Sequence, residues 1–264
     1  MRTVIHHDVE LSTLSLGPED GEPVVLLHGL VSGNMATWYT SIAIPLATSS
    51  RVVLYDLRGH GNSSLPPQGF DLDSQVQDLL AVLNHCLAGR QPVDLVGHSM
   101  GALIALRFAL RFPHLVRRLV LVDAPMPAKQ WVAPSLVAAE SSSVLAQWIN
   151  EQPYLVNDVR GRRRERIHKR LESLLFGTSI VADVLAMDVE RDEDLRDYTQ
   201  PVLLIYGRAS PCLAAGHHLH ETLPNAELRL LDCGHYVPVE APDTLRQILE
   251  QYLNKKTQRI TESE

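Results

Sequence analysis

The chain has 264 residues, of which 45% are apolar and 21% are charged, and its formal net charge is −7. This length allows one sizeable α/β domain and excludes two large ones, while the acidic balance disfavours general nucleic-acid binding. The sequence predicts a cytoplasmic protein outside the membrane. Its three cysteines lack metal or redox spacing, its start lacks a signal segment, and no apolar run is long enough to span a membrane.

Short apolar runs recur along the chain and predict the strands of a buried sheet. The predicted strands are residues 24–27, 51–55, 93–96, 119–122, 202–206 and 227–231, the last alternating like a strand at a sheet edge. Helical stretches lie between them at residues 73–87, 101–111, 216–223 and 241–253. This alternation predicts an α/β fold, in which a mostly parallel central sheet carries helices on both faces.

One segment interrupts the alternation. Residues 127–197 show no clear strand but contain helical patterns at 133–148 and 159–176. We therefore predict a core domain made of residues 1–126 and 198–254, with a helical cap over residues 127–197 inserted after the strand that ends at Val122. The polar stretch 255–264 is predicted to be a disordered tail.

Residues 97–101 read Gly-His-Ser-Met-Gly and join a predicted strand to a strongly apolar helix. A serine on such a sharp strand-to-helix turn has its hydroxyl pushed out of the sheet toward a substrate. Gly97 and Gly101 leave room for the turn, because side chains there would collide with the neighbouring strand and helix. Ser99 is therefore the predicted nucleophile, and the flanking strand and helix argue against a chance occurrence of the pattern.

Further motifs follow the other predicted strands. They are His-Gly-Leu at 28–30, Asp-Leu-Arg-Gly-His-Gly at 56–61, Gly-His at 234–235 and Glu-Ala-Pro at 240–242. Together with the turn at 97–101, in this order, they resemble the α/β-hydrolase superfamily over residues 20–253. The resemblance implies the α/β-hydrolase fold, catalytic residues in the chain order serine, acid, histidine, a cap over the site and ester-like substrates.

His235 is the predicted partner of Ser99, because a neutral imidazole can take the serine proton and return it to the leaving group. The chain has 12 histidines, and most are expected to be surface or packing residues. His217, His218 and His220 form only a weak metal pattern on a predicted surface helix. The loop that contains His235 follows a late strand, as the resemblance implies.

The acid is where the chain departs from the family pattern. The usual position, in the turn after the strand at 202–206, holds Ser210, which cannot carry the charge that stabilises an imidazolium. Asp123 ends the strand after that of the nucleophile, where some relatives place the acid, and we predict that it replaces the missing carboxylate. Asp232 stands only three residues before His235, and Asp56 is expected to serve its own turn.

The remaining predicted site residues hold the substrate. The backbone N–H groups of Leu30 and Met100 are the predicted oxyanion hole. His28, His98, Trp131 and Trp148 are candidate substrate-pocket residues. No metal or organic cofactor is implied, and the sequence does not indicate an oligomeric state.

The predicted cap contains a basic stretch, with seven cations and one anion in residues 160–170. A solvated amphipathic helix explains it most simply. Alternatively, Arg162, Arg163 and Arg164 dock an anionic partner such as an acyl carrier protein, a phosphopantetheine arm or a carboxylated substrate.

These features predict a serine hydrolase that cleaves a small-molecule ester, lactone or thioester through an acyl-enzyme intermediate. Alternatives on the same scaffold are a thioesterase of a biosynthetic pathway and a C–C bond hydrolase. A dehalogenase is disfavoured, because that chemistry uses a carboxylate where this chain has Ser99. A non-catalytic receptor for a small ligand is the alternative from another class, and Ser210 is the reason to consider it.

Overall fold

The computed structural model describes residues 1–30, 33–90, 92–126, 143, 147, 162–188 and 190–254, with the side chains of residues 162–164 excepted. Most of the helix predicted at 133–148, both pocket tryptophans (Trp131 and Trp148) and the tail 255–264 lie outside these residues.

The described strands form one eight-stranded sheet. They are β1 (Arg2–His6), β2 (Val9–Leu16), β3 (Glu22–Leu27), β4 (Ser50–Tyr55), β5 (Val93–His98), β6 (Val116–Val122), β7 (Val202–Gly207) and β8 (Ala226–Leu231). Their order is β1-β2-β4-β3-β5-β6-β7-β8, and every pair is parallel except β1–β2 and β2–β4. The predicted mostly parallel α/β sheet is confirmed, with an additional antiparallel hairpin at its start.

Helices follow the parallel strands. Their bounds are α1 (Ala36–Trp38), a π-helical turn (Tyr39–Ala43), α2 (Ile44–Leu46), α3 (Leu72–Leu87), α4 (Met100–Arg111), a 3-10 turn (Pro113–Leu115), α5 (Arg162–Gly177), α6 (Ile180–Ala186), α7 (Asp192–Asp197), α8 (Leu213–Thr222), α9 (Val237–Glu240) and α10 (Pro242–Leu253). Helices α5 to α7 fall within the predicted cap, and the division into core and cap stays a prediction. Among the described residues, no helix has the length and apolar character needed to cross a membrane.

The sheet is buried on both faces, because alternate residues of its central strands enter two different apolar clusters. In β3, Val25 and Leu27 pack with α3 and α4, whereas Val24 and Leu26 pack with Trp38 and α10. Because a strand covered on both faces exposes neither face to solvent, its residues are apolar at successive positions. This explains the continuous apolar runs in the sequence of the central strands.

The strand order determines where the site forms. Strands β5 to β8 are parallel neighbours, so their carboxyl ends lie along one edge of the sheet. His98 at the end of β5 pairs with Val122 at the end of β6, and Val122 pairs with Ile205 of β7. Ser99 and Asp123, the next residues of their strands, therefore leave the sheet side by side.

A buried ion pair joins the turn after β4 to α3, and it predicts a large effect on stability. Arg58 Nε lies 2.6 Å from Asp78 Oδ2, and the two side chains are 7% and 2% exposed. Because Asp78→Ala would leave a buried guanidinium without its counter-charge, we expect the free energy of unfolding in urea to fall by about 3–5 kcal/mol. The matched control, Asp194→Ala, removes an exposed partner of Arg191 and should have no comparable effect. Equal losses in the two variants would contradict this account of the Arg58–Asp78 pair.

Candidate active site

Ser99 stands on a strained turn between β5 and α4. Its backbone has φ +53° and ψ −119°, a conformation that L-residues rarely adopt. A Cβ at Gly97 would lie 2.3 Å from the carbonyl oxygen of Gly101, and one at Gly101 would lie 2.5 Å from that of His28. Both glycines are therefore needed for the turn, which brings the Ser99 hydroxyl out at the carboxyl edge of the sheet.

His235 reaches Ser99 from the loop between β8 and α9. Its Nε2 atom lies 2.9 Å from Ser99 Oγ, within hydrogen-bonding distance. The Glu240 carboxylate holds this loop, because it accepts hydrogen bonds from the backbone N–H groups of Gly234 at 2.6 Å and Tyr236 at 3.0 Å, on either side of the histidine. Glu240 thus fixes the backbone on both sides of His235, independently of the hydrogen bonds that the imidazole ring forms.

Asp123 completes the chain of hydrogen bonds. It follows β6 with φ +50° and is fully buried. Its Oδ1 atom lies 2.7 Å from His235 Nδ1, and its Oδ2 accepts the backbone N–H of Gly207 at 2.8 Å. The structure therefore brings the three predicted catalytic residues together, with the histidine between the serine and the carboxylate.

Ser210, at the position where the family pattern has its acid, is hydrogen-bonded to the Asp123 carboxylate. Its hydroxyl donates to Asp123 Oδ1 at 2.5 Å and accepts the backbone N–H of Cys212 at 3.0 Å. The sequence showed only that a carboxylate is missing at position 210. It does not reveal the hydrogen bond to Asp123, because this contact depends on how the turn after β7 packs against the end of β6.

Cys212 is a second neighbour of the site that sequence analysis missed. Its buried sulfur lies 3.6 Å from His235 Nδ1. Burial, together with the nearby Asp123 carboxylate, raises the pKa of the Cys212 thiol to about 12. The group is therefore a neutral thiol at physiological pH, and it is not prepared to act as a nucleophile.

The two other carboxylates considered as the acid are engaged elsewhere. Asp56 is buried and accepts the backbone N–H groups of Met35 and Asn62, both at 2.8 Å, so it serves its own turn as expected. Asp232 has a 92% exposed side chain and pairs with Arg208 at 2.9 Å. These contacts leave Asp123 as the carboxylate that the structure places against His235.

The predicted oxyanion donors lie next to the nucleophile. Met100 is the first residue of α4, where a backbone N–H has no partner within the helix. A Cβ at Gly29 would lie 3.2 Å from the Ser99 Cβ, so the loop that contains Leu30 passes beside the serine. Residues 31 and 32 lie outside the described residues, and the oxyanion role of Leu30 and Met100 stays a prediction.

His28 and His98, the two described residues among the predicted pocket residues, form hydrogen bonds with the backbone. His28 is fully buried; its Nδ1 lies 2.7 Å from the Gly29 carbonyl oxygen, and its Nε2 accepts the Leu57 N–H at 3.0 Å. His98 is 4% exposed, and its Nε2 donates to the His235 carbonyl at 2.9 Å. The contact of His98 joins it to the His235 loop. The predicted role of both histidines in a substrate pocket stays a prediction.

These buried histidines predict instability in acid. Burial lowers the pKa of His28 and His98 to about 4 and that of His60 to about 3, below the ordinary value of about 6.5 in an unfolded chain. At pH values between the folded and unfolded pKa values, the unfolded chain binds more protons than the folded chain. The contribution of these histidines to the free energy of unfolding is therefore complete above about pH 6.5 and falls as the pH drops toward 4.

We expect each of the three histidines to lower the free energy of unfolding by about 2 kcal/mol between pH 7 and pH 5. Urea denaturation at the two pH values measures the change, and denaturation at pH 8 is the control, where these groups predict no further change. Equal stability at pH 5 and pH 7 would show that the buried histidines do not destabilise the fold in acid.

Comparison with known proteins identifies the family. The model of the alpha/beta hydrolase family matches residues 24–248. The chain belongs to this family. The predicted resemblance and the prediction of an α/β-fold hydrolase are thereby confirmed.

Curated relatives of this α/β hydrolase include enzymes with different substrates. It is 27% identical to a 2-hydroxy-6-oxo-2,4-heptadienoate hydrolase of Pseudomonas putida, covering 96% of this chain and 95% of that protein. It is 25% identical to 3-oxoadipate enol-lactonase 2 of Acinetobacter baylyi, covering 96% of both chains. It is also 30% identical to the dihydrolipoyllysine-residue acetyltransferase component of the acetoin cleaving system of Pseudomonas putida, covering 93% of this chain and 67% of that protein.

Solved structures show the same fold. An enol-lactonase from Burkholderia xenovorans superposes with a TM-score of 0.76 at 20% identity and covers 96% of this chain and 99% of that one. The esterase RhEst1 from Rhodococcus gives a TM-score of 0.76 at 23% identity, covering 96% and 98% of the two chains. At these identities the likeness concerns the architecture and does not extend to the substrate.

Residues 162–170 of the basic stretch lie in α5, while residues 160 and 161 and the side chains of Arg162, Arg163 and Arg164 fall outside the described residues. Arg170, further along the same helix, donates to the backbone carbonyls of Gly59 at 3.1 Å and Ser63 at 2.8 Å. This cation anchors the helix to the turn after β4. The docking role of the three earlier arginines stays a prediction.

Proposed function

We propose that this α/β hydrolase is a serine hydrolase that cleaves a carboxylic ester, lactone or thioester through an acyl-enzyme intermediate. The observation that carries the proposal is the unbroken hydrogen-bonded series from Ser99 through His235 to Asp123, with distances of 2.9 and 2.7 Å. A nucleophile bonded to a base, which is itself oriented by a buried carboxylate, is the arrangement that acyl transfer requires.

In the first half-reaction, Ser99 Oγ attacks the acyl carbonyl carbon while its proton passes to His235 Nε2. The developing imidazolium is stabilised by Asp123, which faces Nδ1 and keeps that nitrogen protonated, so that Nε2 is the free base. The same imidazole then gives its proton to the leaving oxygen or sulfur as the tetrahedral intermediate collapses. The product of this step is an ester of Ser99.

In the second half-reaction, water replaces the leaving group. His235 takes a proton from the water, the resulting hydroxide attacks the acyl carbon, and Ser99 leaves with the proton restored. The backbone N–H groups of Met100 and Leu30 are the proposed donors to the oxyanion in both steps. Neither step calls for a metal or an organic cofactor.

The carboxylate of Asp123 is prepared for this role by its own neighbours. The backbone N–H of Gly207 and the hydroxyl of Ser210 both donate to it. Hydrogen bonds of this kind compensate a buried charge for lost hydration and stabilise the ionised carboxylate. These two donors compensate Asp123 for the hydration that it loses in its buried position next to His235.

A fluorophosphonate probe and a substrate panel test the proposal. We expect the probe to label Ser99 covalently and at least one member of a panel of acyl esters, lactones and thioesters to be hydrolysed, since the probe reports an activated serine whatever the natural substrate is. Labelling combined with cleavage of only vinylogous diketones would indicate a C–C bond hydrolase. Absence of both labelling and hydrolysis would overturn the proposal and favour a non-catalytic receptor.

A further inference from the structure

A cluster of three potential metal ligands overlaps the proposed triad. A carboxylate oxygen of Asp123, the sulfur of Cys212 and a ring nitrogen of His235 all lie within 4.8 Å of one another. We propose that these three atoms bind a thiophilic divalent cation such as Zn²⁺ and that the bound cation switches the enzyme off. The inhibitory half of this proposal rests on the serine-hydrolase function proposed above.

The three donors suit such a cation chemically. Thiolate, imidazole and carboxylate are the ligands that zinc takes in proteins, with bonds of about 2.0–2.3 Å, which in a tetrahedron puts ligand atoms about 3.3–3.6 Å apart. The Cys212 sulfur and His235 Nδ1 are already 3.6 Å apart. Asp123 Oδ1 and His235 Nδ1 are separated by 2.7 Å, so a small rotation of the imidazole ring would open the site.

The surroundings hold the ligands in place. Ser210 and the Gly207 N–H fix the Asp123 carboxylate, while the Glu240 carboxylate fixes the backbone on both sides of His235. Hydrogen bonds that orient ligands in this way typically strengthen metal binding.

Metal binding and catalysis exclude each other at the imidazole. In the proposed mechanism the ring proton lies on Nδ1, between the ring and Asp123, and Nε2 accepts the Ser99 proton. A cation on Nδ1 moves the ring proton to Nε2, which can then no longer act as a base toward Ser99. The Cys212 thiol releases its own proton to solvent, so one proton is lost for each cation bound. The bound Zn²⁺ is then balanced by one thiolate and one carboxylate.

Cd²⁺ reports on the ligands directly, because a cadmium–thiolate bond absorbs in the ultraviolet whether or not the enzyme turns over. We expect Cd²⁺ to produce this band in the wild-type protein and in Ser99→Ala, and to produce none in Cys212→Ala or Cys212→Ser. The matched controls are Cys86→Ser and Cys233→Ser, which remove the other two thiols and should keep the band. Circular dichroism establishes that each variant is folded.

Zn²⁺ inhibition of hydrolysis, measured relative to the metal-free rate of each variant, is the second readout. We expect the inhibition constant to rise by about 100-fold or more in Cys212→Ala, because losing a ligand costs at least as much as losing one of its supporting hydrogen bonds. A band that persists without Cys212, or equal inhibition of wild type and variant, would overturn the metal site. A normal cadmium band in a protein that hydrolyses nothing would instead overturn the proposed hydrolase function and leave the metal site standing.

Discussion

Replacing Ser99 by alanine is expected to lower kcat for ester hydrolysis by at least about 10⁴-fold. Without the hydroxyl no acyl-enzyme can form, so the loss should appear in kcat, with KM changed far less because substrate contacts outside Oγ remain. Alanine also fits the turn sterically, since it adds no atom beyond Cβ. Steady-state kinetics on the best ester of the panel, combined with the absence of fluorophosphonate labelling, measures the effect.

Ser49→Ala is the matched control for this substitution. Ser49 is exposed and directly precedes β4, at the amino end of a parallel strand and therefore away from the edge where the site forms. The control should retain wild-type kcat and should still be labelled. Retention of activity in Ser99→Ala would show that another group attacks the substrate and would refute the nucleophile assignment.

Replacing Asp123 by asparagine is expected to lower kcat by about 10⁴-fold. The reason is specific to this carboxylate, because both its oxygens accept: Oδ1 from His235 and Ser210, and Oδ2 from the Gly207 N–H. An amide has only one oxygen, so in either orientation its NH₂ group faces a donor. The imidazole then loses its counter-charge and is no longer held in the tautomer that leaves Nε2 free.

Two variants serve as controls for Asp123→Asn. Asp232→Asn changes an exposed carboxylate three positions before His235 and should leave kcat unaltered. Ser210→Ala removes one donor to Asp123 while the negative charge stays, so its effect should be far smaller than that of Asp123→Asn. A large loss of kcat in Asp232→Asn, with little change in Asp123→Asn, would show that Asp123 is not the acid.

The central part of the fold could be predicted because it depends on local pattern. Strands buried on both faces read as apolar runs, and the glycine-flanked turn around Ser99 reads directly as strand, turn and helix. The antiparallel hairpin of β1 and β2 was not predicted. Residues 9–16 carry serine, threonine and glutamate among their apolar residues. They form a strand by pairing with β4, and a short stretch of sequence does not reveal such a pairing.

The site, like the fold, could be predicted only where it depends on local sequence patterns. Ser99 and His235 belong to local motifs. Asp123 was predicted from the family resemblance, because some relatives place the acid at the end of that strand and Ser210, at the usual position, cannot carry charge. The contacts of Ser210 and Cys212 depend on how the turn after β7 meets the ends of β6 and β8. Asp123 and Ser210, for example, are more than 80 positions apart in the sequence. Neither composition nor periodicity predicts a contact between residues so far apart.

In the proposed mechanism Asp123 is the acid that makes His235 a base toward Ser99. The rate constant for fluorophosphonate labelling of Ser99 tests it most directly, because it measures the activation of the serine without knowledge of the substrate. Comparing folded Asp123→Asn with the wild-type protein, we expect the rate constant to fall by about 10²–10⁴-fold, the range that general-base assistance supplies. Labelling of Asp123→Asn at the wild-type rate would contradict the claim.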